Sequence, residues 1–323
     1  MAEFSIIERY CQGIGAQHST TKIAVGDDAA VVSVPNGMEL AVSLDTMVEG
    51  VHFYPNTPAE LIADKLLAVN LSDMAAMGAE PRWATLGLTV PTVDEDWFSR
   101  FSSRLNQSAE QFNVQLIGGD TTQGPLTLSL NIMGLLPKGK GLTRAGAKPE
   151  DDIYVSNRIG DAALALQCLE SNVDSHGLNL ETIKTALDLP EPQIKLGQSL
   201  LEIASACLDL SDGLVADLGH IAEQSKVSLD INIEQIPLSA EYQQYIKQGG
   251  SVDIALTGGD DYQLAFTAEQ SHREAIEKLS KQLDTPLTRI GKVTEQAEEK
   301  VNLFSNSKPY QLTNNLGYEH FKI

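Results

Sequence analysis

Apolar and polar positions alternate along several short stretches of the chain, and the alternation predicts strands. Residues 22–34, KIAVGDDAAVVSV, read as two short apolar strands broken at Gly26-Asp27-Asp28. Residues 38–46, MELAVSLDT, read as a strand running into acid at Asp45. WATLGLTVP, VQLIGG and LTLSLNIMGLLP complete a first sheet. The stretch TPAELIADKLLAVNLSDMAAMGAEP has helical spacing instead, with Leu61, Leu66, Val69, Met74 and Met77 predicting one apolar face. Thr57 suits its N-cap, Pro58 its first position and Glu60 a capping box, and Gly78 suits its end. Residues 94–112 predict a second amphipathic helix.

The second half mixes strands and helices without strict alternation. DIYVSN reads as a strand, RIGDAALALQCLE as a turn and helix, and IKLGQSLLEIA as a helix. ACLDLSDGLVADLGHIAEQ reads as a strand, an acidic turn and a helix. SLDINIEQI, VDIALTGG and YQLAFTA read as strands, and residues 269–283 as a helix. Between the halves lies KGKGLTRAGAKPEDD, residues 138–152, whose Gly and Pro mark a boundary. The expected fold class is α/β (α+β), with two mixed-sheet domains at 1–138 and 139–323. Each is expected to be a sheet covered on one side by helices.

Composition narrows the function. The chain has 323 residues, 42 % hydrophobic and 21 % charged, which fits a globular protein with a sizeable core. No run of about 18 apolar residues appears, so no membrane span is expected. The N-terminal stretch lacks the basic start and long apolar run of a signal peptide. Cys11, Cys168 and Cys207 are too few and too scattered for a disulfide framework or a zinc site. A cytoplasmic location fits best. With 23 basic against 44 acidic residues the formal charge is −21, which should repel nucleic acid and anionic membranes. Solubility alone accounts for such a charge. So does a role for some acids as ligands of divalent cations, which would let an acidic protein accept a phosphorylated ligand.

The acids that fit that role stand at predicted strand ends or inside a helix: Asp27, Asp28, Asp45, Asp73, Asp120, Asp209, Asp212, Asp260 and Asp261. Oxygen ligands with no histidine or cysteine beside them suit Mg2+ rather than zinc. LIGGDTT at 116–122 is echoed by LTGGDDY at 256–262, each setting Gly-Gly-Asp after an apolar stretch. A single Asp-Gly pair is most often a plain turn; several in one chain suggest a site. Asp73 lies near the end of an apolar helix, where an unpaired carboxylate is costly and opposes the helix dipole. A cation beside it removes both objections, and so does a solvent-facing position. No Walker A frame, kinase glycine loop, or Ser-His-Asp or Cys-His arrangement is present. His52 is the one histidine near the suspected site, and a lone histidine is more often structural.

In order along the chain stand GDDAA, SLDTMVEGVHF, KLLAVNLSDMAAMGAEP, LIGGDTT, LTRAGAKP, LDLSDGL, GGDDYQLAF and LGYEHF. Together they resemble the thiamine-monophosphate kinases, of the aminoimidazole ribonucleotide synthetase-like superfamily, from about residue 4 to residue 321. The resemblance implies an N-terminal domain that binds ATP and metal and pairs its sheet in a homodimer. It implies a C-terminal α/β domain, with ATP in a cleft between the two. The implied activity is Mg2+-dependent direct transfer of the γ-phosphate of ATP to thiamine phosphate, with no catalytic side chain beyond the metal ligands.

The resemblance places the metal ligands at Asp28, Ser43, Leu44, Asp45, Asp73, Asp120, Asp209 and Asp212, Leu44 through its carbonyl alone. It places ATP against Gly119, Asp120, Arg144 and Ser211, and the substrate against His52, Asp260 and Tyr318. Asp260 stands where many relatives carry glutamate, and Leu44 where they often carry threonine. The alternatives are a superfamily member that activates an amide or a selenide with ATP, and a non-catalytic Mg2+- or nucleotide-binding module. A selenide enzyme would want a reactive cysteine with a nearby lysine, and Cys11 has no adjacent lysine.

Overall fold

The alternating stretches of the first half form strands. The computed structural model describes residues 3–175 and 177–313. It groups the residues up to 74 with 79–141, and residues 75–78 with those from 142 onward. In chain order the first group holds α1 (Glu3–Tyr10), β1 (Thr21–Ile23), β2 (Val31–Val32), β3 (Met38–Val48), α2 (Ala59–Met77), β4 (Glu80–Val90), α3 (Glu95–Gln111), β5 (Gln115–Gln123) and β6 (Thr127–Pro137). β1 and β2 make a small antiparallel pair around the GDD segment. The other four strands form a sheet in the order β3-β6-β4-β5. β6 pairs antiparallel with β3 and β4, while β4 and β5 run parallel and are joined through α3, as a parallel pair requires a crossover. Asp94 starts α3, its carboxylate accepting the N–H groups of Asp96 and Trp97.

Two details depart from the expectation. α2 does not bury one face: Ile62, Ala63, Leu66, Leu67, Leu71, Met74 and Ala75 are all buried, and so are Asn70 and Ser72 between them. A helix apolar all round belongs in a core. Its predicted N-cap, Thr57, donates its hydroxyl back to the Tyr54 carbonyl at 2.8 Å.

The second group holds β7 (Asp152–Ser156), α4 (Asp161–Leu169), α5 (Leu180–Asp188), α6 (Ile194–Leu200), β8 (Ala204–Asp209), α7 (Leu214–Ser225), β9 (Ser228–Asn232), α8 (Ala240–Lys247), α9 (Asp253–Thr257), β10 (Leu264–Ala268), α10 (Arg273–Leu283), β11 (Leu287–Thr294), β12 (Val301–Ser305) and β13 (Lys308–Pro309). Its seven strands form one sheet in the order β13-β12-β9-β11-β7-β10-β8. Among the described residues only β12 and β9 pair parallel here, so this sheet is mixed too.

Side chains on alternate positions of these strands enter two different cores. Ile153, Val155, Leu208 and Ala265 pack with Leu214, Leu218 and Ile221 of α7. Tyr154, Cys207 and Phe266 pack with Leu196 and Leu200 of α6 and with Ile276 and Leu279 of α10. Helices therefore cover both faces of this sheet, where one covered face was expected. The predicted strand VDIALTGG is instead the short helix α9, ending at Gly258. A short apolar run fits either state, and periodicity does not separate them.

Candidate active site

Three groups of the expected residues take shape, two in the first unit and one in the second. On β3 the two-residue period sends Ser43 and Asp45 to one side and Leu44 to the other, where its side chain is exposed. Leu44 can thus offer a ligand only its carbonyl. α2 meets the Ser43–Asp45 side with residues one turn apart. Ser43 Oγ donates to Asp73 Oδ2 at 2.5 Å. The Asp45 N–H donates to Asn70 Oδ1 at 3.2 Å, and Asn70 Nδ2 donates to the Leu66 carbonyl at 2.9 Å. Asp73 therefore does not simply face solvent.

Burial, and then the charge of Asp73, push the Asp45 carboxyl up to about 6. Two carboxylates crowded in this way are stabilised by a cation between or beside them. The donors are carboxylate and hydroxyl oxygens, the set that suits Mg2+. Among the described residues no three His, Cys, Asp or Glu side chains gather into a ready metal cluster. A Mg2+ ion needs only one or two carboxylates when waters and substrate phosphates complete its shell, so the pair fits the ion.

The second group lines a cavity of about 590 Å³ in the same unit. Asp27 and Asp28 reach it from the loop between β1 and β2, and Gly119 and Asp120 reach it from β5. Asp27 Oδ1 accepts the Asp28 N–H at 2.9 Å, tightening that loop. The Gly-Gly-Asp of LIGGDTT is not a turn: β5 runs straight through it, and Asp120 lies opposite Gly87 of β4. A Cβ on Gly119 would sit 2.0 Å from the Leu86 carbonyl oxygen, so only glycine permits this strand pairing. His52 lies in the turn after β3, where its Nδ1 accepts the Val48 N–H at 3.0 Å. A neutral ring held this way carries its proton on Nε2.

The third group is two loops laid against each other in the second unit. β8 delivers Asp209, buried, and the chain then turns through Ser211-Asp212-Gly213 into α7. From the first turns of α7, Asp217 Oδ2 accepts the N–H groups of Ser211, Asp212 and Gly213 at 3.0, 3.1 and 3.1 Å. Burial and the nearby Asp212 push the Asp217 carboxyl up to about 6 against the pull of these donors.

The GGDDY loop meets the same turn from the other side. The Asp260 N–H donates to the Ser211 carbonyl at 3.0 Å, and the Tyr262 N–H to the Leu210 carbonyl at 2.7 Å. A Cβ on Gly259 would lie 2.1 Å from the Ser211 carbonyl oxygen. Asp260 Oδ1 accepts the Tyr262 hydroxyl at 3.1 Å. Asp261 points inward: its Oδ1 accepts the Gly160 N–H at 2.8 Å, and burial holds its carboxyl well above the usual range. So the two Gly-Gly-Asp segments, alike in sequence, differ in structure: one is strand interior and the other a loop after a helix.

Arg144 sits in a loop whose backbone is fixed and whose side chain is exposed. Ser225 Oγ donates to the Arg144 carbonyl at 3.2 Å and accepts the Gly146 and Ala147 N–H groups at 3.1 Å. Tyr318 lies outside the described residues. Asn70 and Asp217 lie outside the expected set. The first stands one turn before Asp73 in NLSD, a spacing that puts both on one side of α2, while no spacing in SDGLVAD marks the second, since Asp212 lies in the turn ahead of α7.

The chain matches the family of AIR synthase related protein N-terminal domains over residues 26–136, and that of the C-terminal domains over residues 148–303. It is 41 % identical to the thiamine-monophosphate kinase of Haemophilus influenzae, over 100 % of this chain and 98 % of that one. The crystal structure of thiamine-monophosphate kinase from Stenotrophomonas maltophilia K279a is similar with a TM-score of 0.83 at 38 % identity, covering 95 % of this chain and 96 % of the other. A structure of AaThiL complexed with AMPPCP and TMP is similar with a TM-score of 0.77 at 29 % identity, over 92 % of each chain.

Proposed function

Because the chain belongs to the thiamine-monophosphate kinase family of AIR synthase related proteins, we propose that its acidic segments anchor Mg2+ for transfer of the γ-phosphate of ATP to thiamine phosphate. The activity is that of a thiamine-phosphate kinase, giving thiamine diphosphate and ADP. The observation that carries the metal reading is the Asp45–Asp73 pair, with Asp45 pushed up to about 6 by burial and by its neighbour's charge.

In this reading Asp28, Asp45, Asp73, Asp120, Asp209 and Asp212 hold the ions, with Ser43 through its hydroxyl and Leu44 through its carbonyl. Gly119, Asp120, Arg144 and Ser211 hold ATP. His52, Asp260 and Tyr318 hold thiamine phosphate. Bound Mg2+ supplies charge neutralisation and alignment of the phosphates. The residues themselves bind and orient. Gly119 lets backbone come close, Arg144 offers a guanidinium to a phosphate, and the His52 ring is fixed with Nδ1 turned to Val48.

Transfer is direct. The acceptor is a phosphate oxygen, already largely ionised near pH 7, so no strong general base is needed. A thiol intermediate finds no support: Cys11, Cys168 and Cys207 are all pushed above the ordinary thiol range, by burial first. The same fact weighs against a selenide-activating enzyme, since Cys11 lines the cavity beside Asp28 and Asp120 as an inert thiol.

Leu40, Val42 and Leu44 form an apolar stripe on the edge strand β3. An exposed apolar edge favours a partner, and this supports a homodimer formed through β3. Three unpaired cysteines suit a cytoplasmic setting. Incubation with ATP, Mg2+ and thiamine phosphate, followed by analysis for thiamine diphosphate, tests the activity. Turnover of another acceptor without that product would oppose it.

A further inference from the structure

A turn that leads into a helix can offer its backbone N–H groups to an anion, as phosphate-binding loops do. Here they are already taken. The three N–H groups of the turn that leads into α7, those of Ser211, Asp212 and Gly213, all point at Asp217 Oδ2, a buried carboxylate from the first turns of that helix. The carboxylate takes these donors itself, and the helix dipole favours its charge near the start of α7.

We infer that Asp217 is a positioning residue for the phosphate chemistry, an internal anion that locks the 211–213 turn so that it serves ATP and metal through the side chains of Ser211 and Asp212, not through its backbone N–H groups. The inference rests on the reading of this turn as part of the active site.

The rest of the turn is held to match. Its carbonyl side is fixed by the Asp260 N–H on Ser211 and the Tyr262 N–H on Leu210. Gly213 has φ of 124°, and a Cβ there would lie 2.7 Å from the Thr257 backbone. The donors of the turn are thus held by Asp217 and its acceptors by the GGDDY loop, so the Asp212 carboxylate leaves a backbone fixed on both sides. Releasing the donors frees the segment that carries Asp212 and loosens its grip on Asp260. Asp217 bonds neither side chain directly; it acts through the peptide groups between them.

Two readouts test this without relying on turnover: amide hydrogen exchange in the ligand-free protein, and the affinity for AMPPCP with Mg2+ by calorimetry. Asp217→Ala is expected to speed exchange of the 211–213 amides by about tenfold or more while the amides of β8 and β10 keep their rates. It is expected to weaken AMPPCP about tenfold in the native background, but less than about twofold in an Asp212→Ala background, because two residues acting as one unit do not add.

Asp217→Asn keeps the shape of the side chain and covers the case in which alanine does not fold. A neutral amide oxygen is a weaker acceptor than the ionised carboxylate, so at least one of the three amides should exchange faster. Unchanged exchange at 211–213 in the folded variants would overturn the inference. So would an affinity loss as large with Asp212→Ala as without it. Wild-type protein that binds AMPPCP yet forms no thiamine diphosphate would defeat the kinase reading and leave this one standing, since both readouts report on the turn itself.

Discussion

Ser43 and Asp73 stand 30 positions apart in the chain, yet the serine hydroxyl donates to the aspartate across 2.5 Å. The bond joins β3 to α2 at the point where Asp45 and Asp73 crowd each other. It orients Asp73 through a neutral donor, which brings no charge to compete with a cation.

Ser43→Ala removes that donor and keeps both carboxylates. Its half-saturating Mg2+ concentration should rise by about tenfold or more with the protein folded, since a lost hydrogen bond to a charged group amounts to roughly 1.5–3 kcal/mol. Asp73→Asn should lose turnover far more severely. A magnesium titration of both variants checks the order. A Ser43→Ala curve lying on the wild-type one would separate the hydroxyl from the metal site.

Asp45 ties stability to pH in the metal-free protein. Its folded-state value is raised to about 6 from an ordinary 3.8, so the folded state binds more protons between those values. Stability from this group is full below about pH 4 and is lost as pH rises through about 6. Asp45→Asn removes the loss. In EDTA the variant should be more stable than wild type at pH 8 by roughly 1–2 kcal/mol, and about equal at pH 4. Denaturant melts at the two pH values check the sign, and a variant less stable at pH 8 would contradict it.

Arg144 separates the two ligands. Its loop is fixed through Ser225 while its side chain stays exposed. Arg144→Ala should weaken ATP by about tenfold or more, the scale of a lost charge-assisted contact, and thiamine phosphate by far less. Separate titrations decide, and equal loss for both ligands would remove the assignment.

Leu40, Val42 and Leu44 are 39 %, 57 % and 56 % exposed on β3. A lysine at position 42 would place charge in the middle of that stripe. Val42→Lys should convert a wild-type dimer to monomer in sedimentation analysis. Wild-type protein that sediments as a monomer at micromolar concentration would end the dimer proposal.

Much of this was legible in the chain because strand alternation is local. Ser43, Leu44 and Asp45 could be assigned to opposite faces from their spacing, and the alternation of LTLSLNIMGLLP survives in β6. What a residue meets across the fold was not legible. α2 carries enough apolar residues to be buried all round, but a face count reports only the richest side. Residues 253–257 form a helix because Tyr242 and the neighbouring elements receive them that way: the Ala255 N–H donates to the Tyr242 hydroxyl at 2.8 Å. GGD looks the same at 118–120 and 258–260; pairing with β4 makes the first a strand, and Ser211 receives the second as a loop. Asn70 and Asp217 act on backbone groups, which leave no motif behind.

The most direct test of the central claim is formation of thiamine diphosphate from ATP and thiamine phosphate, followed against Mg2+ concentration in wild-type protein and in Asp45→Asn. Wild-type protein should yield thiamine diphosphate and ADP in equal amounts and only with Mg2+ present, while the folded variant yields almost none at millimolar Mg2+. Near-native product from Asp45→Asn, or wild-type turnover in the presence of excess EDTA, would contradict the account.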